Sequence, residues 1–198
     1  MHIDEKQGKL DEIAIEIRNF KGLEIARNCQ NAVPGEGDPD AKIMFIGEAP
    51  GADEDAQGRP FVGRSGQLLR QTIAESNIKV DKVFITNIVK YRPPENRDPL
   101  PEEIEACRDW LDRQIQIIEP ATIVTLGRFS MTKFLPNARI SQVHGQGQEI
   151  EFLGEKYFLV TMYHPAFALR GTSNLAEFKK DFSNLRQMAI NALKLRRC

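Results

Sequence analysis

The sequence predicts an α/β fold: a mainly parallel sheet of four strands covered by helices on both faces. Two observations lead there. Apolar runs of strand length alternate with amphipathic helical stretches along most of the chain, and no run approaches the roughly 20 apolar residues that a membrane span needs. With 198 residues, 41% hydrophobic and 28% charged, the chain suits one globular domain over 1–198 rather than two.

In chain order, residues 5–20 place Leu10, Ile13, Ala14 and Ile17 on one helical face. The loop NAVPGEGDPD (31–40) then breaks the pattern with proline and glycine. A strand is expected at 42–46, a helix at about 64–76, a strand at 82–89, a helix at about 101–118, a strand at 122–126 and a helix at about 128–135. Residues 148–153 and 157–162, separated by LGEK-type turn residues, read as a hairpin, and a last helix runs from about 174 to 195. In open parallel sheets, ligands bind beyond the carboxyl ends of the strands. That rule gathers GEAPG, TNIVKYRPPENRDP, LGR and YHPAFALR at one edge.

A net charge of −1 supplies no general basic field, so any nucleic-acid contact rests on local patches. The N-terminus MHIDEKQGKLDE has neither a basic start nor an apolar signal region, and a soluble cytoplasmic protein is expected. Cys29, Cys107 and Cys198 are far apart and odd in number, which argues against a disulfide framework and gives no metal-ligand spacing.

The stretch GEAPGADEDAQGRPFVG (47–63) lacks the Lys and Ser/Thr of a phosphate loop and the GxGxxG of a dinucleotide loop, yet carries Glu48, Asp53, Glu54 and Asp55. Backbone N–H groups, carboxylates and one aromatic, Phe61, suit a neutral planar heterocycle. Asn87, ending the strand in KVFITNIV, has an amide that gives and accepts hydrogen bonds in one plane, as reading a pyrimidine edge requires. Lys90, Arg92 and Arg97 around a Pro-Pro segment, with Arg170, are candidates to grip a backbone. His164, at the end of the last strand, would stabilise negative charge on a leaving group if set against a base oxygen.

Each residue also has an ordinary reading. His164 alone is a strand-end histidine, Phe61 a loop aromatic folded on the core, Glu54 part of a solvated acidic loop and Asn96 a turn residue. Asp53 and Asp55 read as surface charge, His144 as structural or exposed, and the tail LKLRRC (193–198) as a charged helix end.

GEAPG with GRPFVG, TNIVKYRPP with NRDP, and YHPAFALR, in this order and spacing, resemble the family 4 uracil-DNA glycosylases, over about residues 9–190. The resemblance implies a three-layer α/β/α sandwich that removes uracil flipped out of DNA, single- or double-stranded, with no metal or redox cofactor in the chemistry. By position, Phe61 would stack on uracil, Asn87 would bind its polar edge, and His164 would face O2 as the glycosidic bond breaks. Glu48 lies in the first motif, with the backbone of Ala49 beside the base. Glu54 and Asn96 match polar positions linked to activity, and either Glu48 or Glu54 would handle the water. HPAFALR matches the loop that enters the duplex, making Phe167, Leu169 and Arg170 wedge candidates, with Arg92 a further DNA contact. The aspartate of the best-known uracil glycosylases is Ala49 here.

One departure is large. Members of family 4 usually carry an iron-sulfur cluster on four cysteines, but the matching positions here hold Phe20, Leu23 and Tyr91, and only Cys107 remains. One thiolate cannot hold a cluster that needs four ligands. The expectation is a cluster-free, monomeric, monofunctional enzyme whose N-terminal segment is held by apolar contacts, with Cys107 on the stripe Ile104, Leu111, Ile115, Ile118. The alternative is a non-catalytic uracil- or DNA-binding module on the same fold.

Overall fold

Alternate residues of the central strands point into two separate cores, and this makes three layers of the chain. The computed structural model describes residues 1–195. It runs α1 (Ile3–Asn19), α2 (Glu24–Asn28), β1 (Glu36–Gly37), β2 (Ile43–Gly47), α3 (Ala52–Gln57), α4 (Arg64–Glu75), β3 (Val83–Asn87), α5 (Pro101–Ile118), β4 (Thr122–Leu126), α6 (Arg128–Thr132), α7 (Ile140–Val143), β5 (Gln146–Phe152), β6 (Glu155–Met162), α8 (Pro165–Ala168), α9 (Thr172–Ser183) and α10 (Leu185–Leu195). On β2, Met44 and Ile46 pack with Ile13 and Ile17 of α1 and with Leu111 and Ile115 of α5. Its other residues, Ile43 and Phe45, pack with Leu69 and Ile73 of α4 and with Phe178 and Phe182 of α9.

The strand order is β1-β3-β2-β4-β6-β5. The four strands β3, β2, β4 and β6 are parallel, as expected, but the sheet has six strands, not four. Two edges are added antiparallel: the two-residue β1 on β3, and β5 on β6 through the hairpin. β1 is too short to leave an apolar pattern. β3 and β4 leave β2 in opposite directions across the sheet, so a topological switch point opens beside β2.

Local chemistry sets the ends of the elements. α5 starts with Pro101 in its first turn, and Glu103 accepts a hydrogen bond from the Leu100 N–H at 2.8 Å, as a capping carboxylate does. The expected last helix is two helices, because the chain turns at Asn184 between α9 and α10. The acidic run after β2 is not an open loop: Asp53, Glu54 and Asp55 form the first turn of α3, where carboxylates complement the positive end of the helix. Asp55, expected at the surface, is buried and accepts from the backbone N–H groups of Gln30 and Asn31 at 2.9 and 3.2 Å. Arg196, Arg197 and Cys198 of the tail lie outside the described residues.

Candidate active site

A cleft of about 660 Å³ opens at the carboxyl ends of the four parallel strands. Its wall takes Glu48 and Ala49 from the end of β2, Asn87 from β3, Gly127 and Arg128 from β4, and His164 from β6. Glu54, Phe61, Asn96, Phe167 and Arg170 also line it. Of the residues singled out in the sequence as DNA contacts, Lys90, Arg92 and Leu169 stand outside this wall. Arg92 donates from Nε to Asn96 Oδ1 at 2.9 Å, and Leu169 is 44% exposed.

Phe61 is held in a conformation it would not choose. Its φ is 52°, a left-handed backbone that a bulky residue adopts only under constraint, at a cost on the order of 1–3 kcal/mol. The constraint comes from both sides. Arg70 of α4 donates to the carbonyls of Phe61 and Pro60 at 2.9 and 2.8 Å and is itself tied to Glu36 of β1 at 2.6 Å. Glu54 accepts from the N–H groups of Val62, Gly63 and Gly51 at 2.8, 2.8 and 3.1 Å. The ring then lies over Gly47, where a Cβ would sit 2.4 Å from both Phe61 Cζ and Asn87 Oδ1, so only glycine lets the two approach.

Asn87 is 2% exposed, and its Oδ1 has no hydrogen-bond partner, a condition that buried acceptors rarely tolerate outside functional sites. Its backbone is fixed from behind. Lys90, expected on the surface as a phosphate contact, is instead fully buried, and its Nζ donates to the Asn87 carbonyl (2.8 Å), Thr86 Oγ1 (2.7 Å) and Gln114 Oε1 (2.8 Å). Burial lowers its pKa to about 7. Arg97 is also engaged, with both guanidinium nitrogens on Glu103 at 2.9 and 2.7 Å.

His164 and Glu48 are tuned in opposite ways. His164 Nδ1 accepts from the Ala166 N–H at 3.2 Å, which leaves Nε2 to carry the proton. Burial and Arg170 push its pKa down to about 4, against a smaller upward pull from Glu54, so the ring is neutral at pH 7. Its ring centroid is 5.8 Å from that of Phe61. Glu48 is half-buried, and burial together with the charge of Asp98 raises its pKa to about 7, with Arg128 pulling the other way. Asp98 and Arg128 form an ion pair at the cleft mouth. The arrangement offers an aromatic face, a buried amide acceptor, a neutral imidazole donor and a carboxyl that exchanges its proton near neutrality.

The family model described as the Uracil DNA glycosylase superfamily matches residues 34–190. The chain is 45% identical over 188 residues to the type-4 uracil-DNA glycosylase of Sulfurisphaera tokodaii, with 91% of this chain and 85% of that protein covered. It is 42% identical over 185 residues to the type-4 uracil-DNA glycosylase of Archaeoglobus fulgidus, covering 90% and 92%. Against that of Thermotoga maritima the identity is 46% over 147 residues, covering 74% and 76%. The chain belongs to the uracil-DNA glycosylase superfamily.

Within the superfamily resemblance, the iron-sulfur cluster is the feature these residues do not fit. Among the described residues no group of three or more His, Cys, Asp or Glu side chains could hold a metal. Phe20 packs its ring 5.1 Å from Trp110 and 6.1 Å from Tyr91, while Leu23 packs against the same core as fully buried Cys107. Tyr91 donates its hydroxyl to the Ile17 carbonyl at 2.7 Å, and Trp110 Nε1 donates to Glu16 at 3.0 Å. These rings and two hydrogen bonds, with Arg113 of α5 donating to both carboxylate oxygens of Glu16 at 2.6 and 2.8 Å, join α1 to α5 and to the segment after β3.

Four parts of the candidate site left little trace in the sequence. Arg70 and Glu36 are remote from the motifs, Lys90 looked like a surface cation, and Tyr163 lines the cleft beside His164. Only Tyr163 had a usable signal, an aromatic next to a candidate catalytic histidine.

Proposed function

We propose that this chain is a monofunctional uracil-DNA glycosylase that hydrolyses the N-glycosidic bond of deoxyuridine in DNA and leaves an abasic site, as part of base excision repair. The observation that carries the reading is the buried, unpartnered Oδ1 of Asn87 beside the Phe61 ring. A flipped uracil stacked on Phe61 presents N3–H to that oxygen and O4 to the amide N–H₂. Ala49 lines the same cleft.

Bond breaking moves the electrons of the C1′–N1 bond onto the base, where they spread over N1 and O2. A neutral His164, donating from Nε2, stabilises that charge without first having to lose a proton. The sugar becomes oxocarbenium-like, and ionised Glu48 stabilises it and takes the proton of the water that adds to C1′. With a pKa of about 7, Glu48 is a competent base at neutral pH. Glu54, whose oxygens accept from three backbone N–H groups, is read here as a positioning residue for Phe61 rather than as the base. Asn96 and Arg92 hold each other at the rim, and Phe167, Leu169 and Arg170 carry the contact with DNA, single-stranded or paired. We read the chain as one domain, a monomer, working in the cytoplasm; among the described residues no helix is long and apolar enough to cross a membrane.

The test is single-turnover cleavage of a uracil-containing oligonucleotide followed by alkali, with His164→Ala and Asn87→Ala in parallel. Removing one such donor is expected to slow the chemical step by about 10²–10³-fold while duplex binding changes little. A folded wild type that binds uracil-containing DNA without releasing the base would instead make the chain a binding module.

A further inference from the structure

At the edge of the cleft three rings stand in a column: Phe167 and Tyr163 line the cleft, and His144 lies behind them. Phe167 of α8 stacks on Tyr163 with centroids 4.2 Å apart and planes at 22°, and Tyr163 lies 4.3 Å from the His144 ring at 31°. His144 is fixed in turn by α9: its Nδ1 is 2.8 Å from Asp181 Oδ2, and its Nε2 is 3.5 Å from Glu177 Oε1. The residue after His144 is glycine, and a Cβ there would lie 2.4 Å from Asp181 Oδ1, so the sequence leaves space for this carboxylate. A second strut reaches the same segment, because Asn174 Nδ2 of α9 donates to the Phe167 carbonyl at 3.2 Å.

α9 is anchored by Phe178 and Phe182 in the core. It therefore holds α8 at two points, once through a carbonyl and once through the ring column. Pro165 and Ala168 of α8 are buried, whereas Leu169 and Arg170 just beyond it are exposed. We infer that Asp181, His144 and Tyr163 form a buttress that keeps α8 rigid, so that the segment through Arg170 acts as a wedge on base-paired DNA. They are positioning residues, and the inference rests on the uracil-excision reading above. Extracting a base from a duplex breaks stacking and pairing, and a wedge that yields cannot supply that work; a single strand demands far less of it. The buttress therefore serves duplex DNA selectively.

The experiment compares single-turnover release of uracil from a single strand and from the same strand paired opposite guanine. His144→Ala is expected to lower the duplex-to-single-strand rate ratio about tenfold, the scale of a small misplacement remote from the chemistry, while the single-strand rate stays within about twofold. Asp181→Asn, which keeps an acceptor for the His144 Nδ1–H, is expected to preserve the ratio. If His144→Ala does not fold, His144→Leu, which keeps apolar bulk in the column but not the bond to Asp181, is read in the same way. An unchanged ratio, or equal losses on both substrates, overturns the buttress. A folded wild type that releases uracil from neither substrate overturns the reaction itself, and the inference with it.

Discussion

Glu48→Gln should stabilise the protein at neutral and alkaline pH, and not in acid. A carboxyl whose folded pKa lies above its unfolded one contributes stability below the unfolded value and loses it as pH rises through the folded value. Burial first, and then Asp98, raise Glu48 from 4.5 to about 7. At about 1.4 kcal/mol per pH unit, that difference amounts to ~3 kcal/mol lost once the group is fully ionised. Stability of that size is a large part of the ~5–15 kcal/mol typical of a domain. Glutamine keeps the shape and never ionises. Denaturant unfolding of both proteins should therefore give nearly equal stability at about pH 4 and a variant more stable by up to ~3 kcal/mol at about pH 8.5. The same variant should lose excision, since a stabilised site that no longer acts is the usual trade. A stability difference that does not change between the two pH values refutes the claim that the fold resists the Glu48 charge.

The single-turnover rate should rise about tenfold per pH unit below pH 7 and level off above it, because Glu48 must be ionised while His164, held down to about 4, stays neutral throughout; a flat profile from about pH 5 upward removes Glu48 as the base. Glu54→Ala strands three N–H groups, two of them flanking Phe61, and should cost about 2–4 kcal/mol along with part of the rate. Full stability in that variant means the loop is held by something else. Tyr91→Phe should cost about 1 kcal/mol for the lost bond to the Ile17 carbonyl, and a chelator should not shift the unfolding midpoint of the wild type. Stoichiometric iron with visible absorbance in the purified protein would contradict the second expectation.

The central strands were legible because each is buried on both faces and reads as a continuous apolar run, as VFIT and TIVTL do. β1 was not, since two residues paired at an edge need no pattern. Glu48, Asn87 and His164 meet at one cleft because strand ends in a parallel sheet must converge there, and that part of the site follows from topology. Its supports do not. Lys90 is a cation by type but is buried by the three acceptors that surround it, and nothing in the sequence indicates those distances. Likewise, ADEDA looked solvated because capping a helix and pinning a loop are three-dimensional tasks.

The ring packing of Phe20, Tyr91 and Trp110 has a consequence for the chemical environment this protein can tolerate. Its N-terminal helix is fastened by dispersion contacts, apolar burial, hydrogen bonds and the ion pairs of Glu16 with Arg113 and of Lys6 with Asp40, none of which depends on electron count or on the supply of iron and sulfide. Of the two thiols against that core, Cys107 is fully buried, with its pKa pushed up to about 11 by burial, and half-buried Cys29 is raised too, by burial and then by Asp55, so both expose little of the thiolate that oxidants attack. Oxidising conditions and iron scarcity therefore leave this attachment intact.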